Sequence, residues 1–147
     1  MKMKLALFLA AIAILTGCSV VEQIDQSVNY TSEATTYVDQ AAEFARKLPD
    51  MAQQTANDPE VKEKLVAELE AMKQRVTDFN ALEAPAIAED LHAKLQNYNA
   101  ALQQEIDQIL NSLLNDNPAV QAVKDSQIVQ TLTEITRLME QINNLGG

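Results

Sequence analysis

The sequence predicts an all-α protein, an antiparallel up-and-down bundle of about four helices. Apolar residues recur at intervals of three and four along the chain, and no alternating run is long enough to indicate a strand. The chain has only three glycines, and two of them are Gly146 and Gly147. Short proline-containing connections divide the periodic segments, which favours antiparallel neighbours. A three-helix bundle with a long stalk is the alternative.

The first helix is predicted from about Ser32 to Leu48, and Pro49 should end it. Tyr30 extends its apolar face by one turn. Upstream, residues 18–29 carry a second apolar stripe that is rotated by about 100° from the first. This segment is therefore either a stalk or the first turns of a bent helix 1, and we favour the second. The two stripes consist of Val20, Val21, Ile24 and Val28, and of Ala34, Tyr37, Val38, Ala41, Phe44, Ala45 and Leu48.

The second and third helices have proline at their starts. Asp58 is a suitable N-cap and Pro59 a suitable first residue for a helix that runs to about Leu82. Pro85 should open the third helix. The apolar stripes are Val61, Leu65, Leu69, Met72, Val76 and Phe79, followed by Ile87, Leu91, Leu95, Tyr98, Leu102, Ile106, Ile109 and Leu113. A short echo relates residues 78–81 to residues 97–100, since each contains an aromatic residue followed by asparagine.

The C-terminal part is predicted to hold a short helical piece and the last helix. Asn117 and Pro118 repeat the cap-then-proline signal, and Ser126 can cap the last helix. Gly146 is placed to terminate that helix. The short piece carries Val120 and Val123, and the last helix carries Ile128, Leu132, Ile135, Met139, Ile142 and Leu145. The bundle domain should span residues 30–147.

Residues 1–17 have the layout of a secretory signal peptide. Lys2 and Lys4 precede an unbroken apolar run over residues 5–15, which is shorter than the roughly 20 residues of a membrane-spanning helix. Residues 15–18, Leu-Thr-Gly-Cys, resemble a bacterial lipobox. The resemblance implies that a signal peptidase recognises Leu15, Thr16 and Gly17 and cuts before Cys18, whose thiol carries diacylglycerol. Two acyl chains suffice for stable anchoring, so we expect attachment to the extracytoplasmic face of the cell membrane.

The net charge of the chain limits the classes of partner that it can bind. The formal net charge is −10, and without Lys2 and Lys4 nine basic and 21 acidic side chains remain, a net charge of −12. This argues against nucleic acid, whose binding depends on basic side chains. It suits a tethered, solvated domain beside the membrane. Because Cys18 is the only cysteine, no disulfide can form within the chain.

No catalytic residue, metal site or cofactor is predicted, and we expect a protein that is not an enzyme. Glu89 and His92 form one Glu-x-x-His motif, whereas a paired-metal bundle site needs two such motifs and two further glutamates. Glu89 should face solvent, on the side opposite Leu91. Residues 115–117 offer oxygen ligands in a loop, but the glycine and the closing glutamate of an EF-hand are missing. A metal-dependent enzyme that uses Glu89 and His92 is the third hypothesis.

Tyr30, Tyr37 and Phe44 are spaced by seven and share one helix face. We interpret them as core residues whose tyrosine hydroxyls reach the surface. The alternative is that they line a cavity for a small apolar ligand. Tyr30 could lie beyond the end of the bundle.

Two segments carry a family resemblance. Residues 79–102, FNALEAPAIAEDLHAKLQNYNAAL, and residues 125–146 resemble small uncharacterised lipoproteins of Bacillus-like Gram-positive bacteria. The resemblance implies a cell-envelope lipoprotein of no known activity, and Cys18 is the only functional residue that carries over. The first hypothesis is a non-enzymatic interaction or structural module that contacts an unknown envelope protein. The second is a lipoprotein that binds a small apolar ligand between its helices.

Overall fold

The computed structural model describes the backbone of residues 18–145 and the side chains of residues 28–138. This part of the chain contains helices and no strand, which confirms the all-α prediction. The elements are α1 (Cys18–Gln54), α2 (Pro59–Asn80), a 3₁₀ turn (Ala86–Ala88), α3 (Glu89–Leu114), α4 (Ala119–Asp125) and α5 (Ile128–Leu145). Over the same backbone, no helix has the length and apolar content that a membrane span requires.

The four long helices form an antiparallel bundle. Helix α1 packs against α2 and α5, and α3 packs against the same two helices. The ion pairs Lys62–Asp116 and Lys73–Asp107 show that α2 and α3 run in opposite directions. Two contacts between residues 62 positions apart show that α1 and α3 run parallel across the bundle. The predicted four-helix architecture is confirmed, and the short α4 packs against α1 and α3 at the end near Gln54.

Helix α1 is longer than the sequence predicts, because it continues through Pro49 to Gln54. The predicted end at Pro49 is therefore wrong. Pro49 lies on the exposed face, whereas Leu48 and Ala52 are almost fully buried on either side of it. Packing of this last turn outweighs the backbone hydrogen bond that proline removes. At the other end, residues 18–29 belong to the same helix, and Tyr30 is its first buried side chain among those described.

The start of the second helix agrees with the prediction from the sequence, whereas the start of the third helix does not. The predicted cap is confirmed, since an Asp58 carboxylate oxygen accepts a hydrogen bond of 2.9 Å from the backbone N–H of Glu60. The predicted start of the third helix at Pro85 is wrong, because α3 begins only at Glu89. The intervening 3₁₀ turn has three residues per turn, which rotates its side chains off the stripe of α3. As a result Ile87, predicted to be a core residue, is 66% exposed.

The C-terminal elements follow the predicted order. The short helix is confirmed as α4, but Asn117 does not cap it, since Pro118 occupies that position without a side-chain hydrogen bond. Asp116 adopts a positive φ of 57° in the turn before it. The Ser126 hydroxyl oxygen lies 3.5 Å from the backbone nitrogen of Ile128 at the start of α5. The predicted core residues Ile128, Leu132 and Ile135 are fully buried. The side chains of Met139, Ile142 and Leu145, and all of Gly146, lie outside the described residues.

Candidate functional site

The residues of the lipobox lie at the boundary of the described chain. Leu15, Thr16 and Gly17 fall outside it. Cys18 is the first residue whose backbone is described, within α1, and its side chain lies outside the described set. Peptidase recognition and lipidation therefore stay predictions. The backbone does show that Cys18 is joined to the bundle by continuous helix.

The aromatic row of α1 is buried. Tyr30, Tyr37 and Phe44 are each at most 4% exposed. The expectation that Tyr30 could lie beyond the bundle is wrong, because its ring packs against His92. The expectation that the tyrosine hydroxyls reach the surface is also wrong, since both of them contact polar side chains of α3. A ligand-lining role for the row stays a prediction.

The tyrosines belong to a group of seven buried or half-buried residues from three helices, here called the aromatic–amide cluster. Its members are Tyr30 and Tyr37 of α1, Phe79 and Asn80 of α2, and His92, Gln96 and Asn99 of α3. The Phe79 ring lies at its centre, with the centroid of the Tyr37 ring at 4.5 Å and that of the His92 ring at 4.9 Å. Ring contacts at such distances contribute about 0.5–1.5 kcal/mol each beyond area burial.

A chain of amides links the helices beneath these rings. The Tyr37 hydroxyl donates to Oδ1 of Asn99, and the Asn99 amide donates to Oδ1 of Asn80 at 2.8 Å. The Gln96 amide donates to the backbone carbonyl of Asn80 at 3.2 Å. That carbonyl is in the last turn of α2 and has no partner within the helix. The cluster therefore satisfies both its own buried groups and the end of α2.

The geometry around His92 fixes the position of its proton. The Gln96 amide nitrogen lies 3.0 Å from Nε2 of His92, and an amide nitrogen can only donate. Its orientation is set by the Asn80 carbonyl, to which it also donates. Nε2 must then accept, so the neutral ring carries its hydrogen on Nδ1. That N–H donates to the Tyr30 hydroxyl oxygen, at 3.0 Å.

Burial keeps the ionisable groups of the cluster uncharged at neutral pH. It raises the pKa of Tyr30 to about 12. It raises the pKa of Tyr37 further, against the opposing effect of the hydrogen bond that Tyr37 donates to Asn99. It also lowers the pKa of His92 below its ordinary value of 6.5. A neutral imidazole with both nitrogens engaged and two protonated phenols make a structural network rather than an acid–base pair.

Sequence reasoning missed the polar members of this cluster. The seam of α3 can be traced back from Leu113 in steps of four and three, and it then passes through Asn99 and His92. These two residues are 0% and 7% exposed. The echo between Phe79-Asn80 and Tyr98-Asn99 was a second signal, since the two asparagines are hydrogen-bonded to each other.

The structure does not bring the other candidate ligands together. His92 points into the bundle and Glu89 is exposed. In the loop after α3, Asp116 pairs with Lys62 at 3.1 Å, and the Asn115 amide donates to the carbonyl of Asn111. Within the described part of the chain, no group of three or more acidic, histidine or cysteine residues is arranged to hold a metal ion.

Two solvent-open depressions lie between α1 and α2, next to the aromatic row. Their volumes are about 220 and 260 Å³, and they share Gln40 and Arg75. Phe44 contributes to one and Tyr37 to the other. Besides Arg75, the charged residues that line them are Glu33, Glu43, Lys47, Glu68 and Asp78. Such surroundings suit water better than a small apolar ligand.

One further buried group lies between α3 and α5. The Thr131 hydroxyl donates to Oε1 of Glu105 at 3.0 Å. The second carboxylate oxygen, Oε2, is buried without a hydrogen-bond partner among the described residues. Burial raises the pKa of Glu105 above its ordinary value of 4.5, against the opposing hydrogen bond from Thr131. No sequence pattern indicates this site, because Glu105 resembles the other acidic residues of a solvated helix face.

Comparison with known proteins supplies the context for these features. No solved structure matches the chain. An uncharacterized lipoprotein of Bacillus subtilis (strain 168), YybP, is 36% identical over 140 residues, which cover 94% of this chain and 95% of the relative. A family of unknown function, DUF6376, matches residues 30–145, a range that starts at the first buried side chain described in α1 and includes the whole aromatic–amide cluster. The chain belongs to the DUF6376 family.

Proposed function

We propose that this protein is a lipid-anchored lipoprotein of the cell envelope, whose helical bundle acts as a non-enzymatic interaction or structural module on the extracytoplasmic face. The observation that carries the proposal is the position of Cys18. From the cysteine of the lipobox-like sequence onward, the described helix enters the bundle without a break. The similarity to a lipoprotein of Bacillus subtilis over almost the whole chain supports the same anchor.

A rigid connection gives the anchor a mechanical role. At 1.5 Å per residue, residues 18–29 form about 18 Å of helix before the first described buried side chain. The bundle is thereby held away from the lipid surface. The net charge of −12 without Lys2 and Lys4 also repels an anionic bilayer. An exposed domain that is tethered but not embedded is suited to contact other envelope components.

The absence of an enzymatic role is supported by the state of the polar groups. In the aromatic–amide cluster, both His92 nitrogens and both tyrosine hydroxyls are engaged by neighbouring groups. Cys18, the only thiol, is expected to be consumed by the lipid. These groups hold the bundle together, which leaves the outer surface of the helices for binding.

The anchor is tested by the Cys18→Ala variant in the native host. We expect this variant to leave the membrane fraction, because no thiol remains to carry the acyl chains. The control is Ser19→Ala, which keeps the cysteine and should stay with the membrane. Mass spectrometry of the wild-type protein should find an acylated N-terminus at Cys18. Equal membrane association of the Cys18→Ala variant would refute the anchor.

The interaction role is tested by photo-crosslinking in intact cells. A crosslinker at Leu114, which is 81% exposed beside the turn at Asp116, should yield a defined adduct with one envelope protein. The control is a crosslinker at the buried position Leu102, which should give none. If no exposed position on the four long helices or the turns between them yields a specific adduct, the interaction role is wrong. The second hypothesis, a small apolar ligand, stays a prediction, and native mass spectrometry of protein extracted from membranes tests it.

A further inference from the structure

We propose that His92 is an acid-sensitive latch: protonation of its imidazole at Nε2 opposes the hydrogen bond from the Gln96 amide, which also ties α3 to the end of α2, so that the end of the bundle nearest Cys18 opens at low pH. The inference concerns the conformation of the bundle and does not depend on lipidation. It rests on the fixed orientation of three groups, namely the Tyr30 hydroxyl, the imidazole and the Gln96 amide.

The latch works because one of its hydrogen bonds cannot survive protonation. Nε2 of His92 accepts from the Gln96 amide at 3.0 Å. A proton on Nε2 would place two donors against each other. If Gln96 turns its amide over to accept from the new N–H, its nitrogen loses the hydrogen bond of 3.2 Å to the Asn80 carbonyl. Protonation therefore disrupts contacts to α2 as well as the contact within α3.

The surroundings of His92 offer little to stabilise a cation. From α1 the ring faces Tyr30, and from α2 it faces Phe79, both of them uncharged at neutral pH. The charged residues at the start of its own helix, Glu89, Asp90 and Lys94, are exposed, as is Glu83 in the preceding loop. On α5, Glu134 and Arg137 are the last charged side chains that the structure describes. They pair with each other at 3.7 Å.

The effect of acid should be local. Away from the cluster, the interior of α3 is formed by Leu102, Ile106 and Ile109, which do not titrate. Glu105, whose Oε2 atom is buried, has a raised pKa, so mild acid favours its neutral, buried form instead of opposing it. Opening is therefore confined to the segments that meet at His92.

The sign of the pH dependence follows from linkage. Burial lowers the pKa of His92 in the closed state below the ordinary value of 6.5, so the open state binds the proton first as the pH falls. The stability of the closed end is complete above about pH 7 and declines below about pH 6.5. Between about pH 7.5 and 5.0, a group of pKa 6.5 in the open state raises the open population by up to about 30-fold.

The experiment uses the fact that His92 is the only histidine, so its imidazole signals need no assignment. Long-range ¹H–¹⁵N NMR at about pH 7.5 should show the proton on Nδ1, and titration should give a pKa below 6.5. Amide exchange corrected for intrinsic rates should rise by up to about 30-fold at about pH 5.0 in residues 30–38, 76–82 and 89–99. Residues 102–113 and 128–135 should keep their protection.

The variant His92→Gln removes the titrating group, so its exchange at this end should no longer change with pH. The control Glu89→Gln, on the exposed side of the same helix, should keep the wild-type response. A proton on Nε2, a pKa of 6.5 or higher, uniform loss of protection, or an unchanged pH response in His92→Gln would each overturn the proposal. The wild-type titration decides the matter even if His92→Gln folds poorly.

Discussion

Two polar residues occupy core positions on α3, and each is paired with a tyrosine of α1. His92 and Asn99 are seven residues apart, as are their partners Tyr30 and Tyr37. A shift of α1 by one turn along α3 would leave four buried polar groups without partners, and each would cost about 1–3 kcal/mol. An apolar interface of leucines would tolerate such a shift more readily. These pairs therefore select one register between two helices that are distant in sequence.

The pair Tyr37–Asn99 provides a test at the residue scale. We expect Tyr37→Phe to lower the free energy of unfolding by about 1–3 kcal/mol, because Oδ1 of Asn99 would be buried without a donor. The control is Tyr98→Phe, since the half-buried Tyr98 makes no hydrogen bond to the described residues. Denaturant unfolding of both variants measures the difference. Equal losses would mean that the hydrogen bond contributes nothing specific.

Glu105 gives a pH-dependent prediction of opposite sign to that of His92. Its pKa in the folded state is raised by burial, so the folded state binds the proton more tightly than the unfolded state. Its contribution is complete below the ordinary pKa of 4.5 and is lost as the pH rises through the folded pKa. Glu105→Gln should therefore unfold at higher denaturant concentration than wild type at neutral pH, and lose that advantage near pH 4. Glu63→Gln, exposed on α2, is the control; a uniform destabilisation by Glu105→Gln would contradict the prediction.

The residue scale also shows where prediction from sequence ends. Leu91 and Leu95 were placed correctly in the core because apolar side chains at helical spacing bury themselves in any bundle. The sequence does not predict His92 and Asn99 as core residues, because a polar side chain is buried only where a hydrogen-bond partner is available. Their partners lie on α1, 62 residues away, and no local pattern identifies them.

At the scale of elements, signals that act within one turn were predictable and signals that depend on neighbouring helices were not. The Asp58 cap and Pro59 act on the backbone next to them, and the observed start of α2 agrees with the sequence. Pro49 acts locally too, but burial of Leu48 and Ala52 against other helices overrides it. The prediction that Ile87 is a core residue is wrong because the 3₁₀ turn that contains it depends on how the connection joins α2 to α3.

The continuation of α1 through Pro49 is tested by Pro49→Ala. The substitution restores a backbone donor within the helix and should raise the free energy of unfolding. Proline inside a helix costs about 3 kcal/mol relative to alanine, and the greater freedom of the unfolded chain offsets about 0.4–1 kcal/mol of the gain. A net increase near 2 kcal/mol is therefore expected in thermal or denaturant unfolding. The control is the exposed neighbour Asp50→Ala, which should change little, and a loss of stability in Pro49→Ala would show that the proline bend is needed for packing.

For the molecule as a whole, the topology was predictable and the relative register of the helices was not. Short connections favour an antiparallel arrangement of consecutive helices. The register depends on the aromatic–amide cluster and on the ion pairs of α2 with α3, which only the folded chain brings together. The acidic surface is a property of composition, and it acts on the entire bundle through self-repulsion.

The self-repulsion predicts how the protein responds to salt. We expect the free energy of unfolding, measured without residues 1–17, to increase as sodium chloride rises from about 10 to 150 mM. Over this range the screening length falls from about 30 to 8 Å. The exposed ion pairs, such as Lys73–Asp107 at 2.6 Å, each contribute at most about 1 kcal/mol and should not reverse the trend. Equal concentrations of a neutral osmolyte control for non-ionic effects, and a decrease with salt would mean that attractive pairs dominate.

Because α1 is continuous from Cys18, the number of residues in its first turns sets the direction in which the bundle faces. Each residue inserted between Cys18 and Tyr30 rotates everything after it by about 100° about the helix axis and advances it by about 1.5 Å. Two added residues would therefore turn nearly the opposite flank of the bundle toward a fixed neighbour. Seven added residues would restore the facing to within about 20° while lengthening the reach by about 10 Å. Orientation and reach can thus be varied separately in this one segment without altering the folded core.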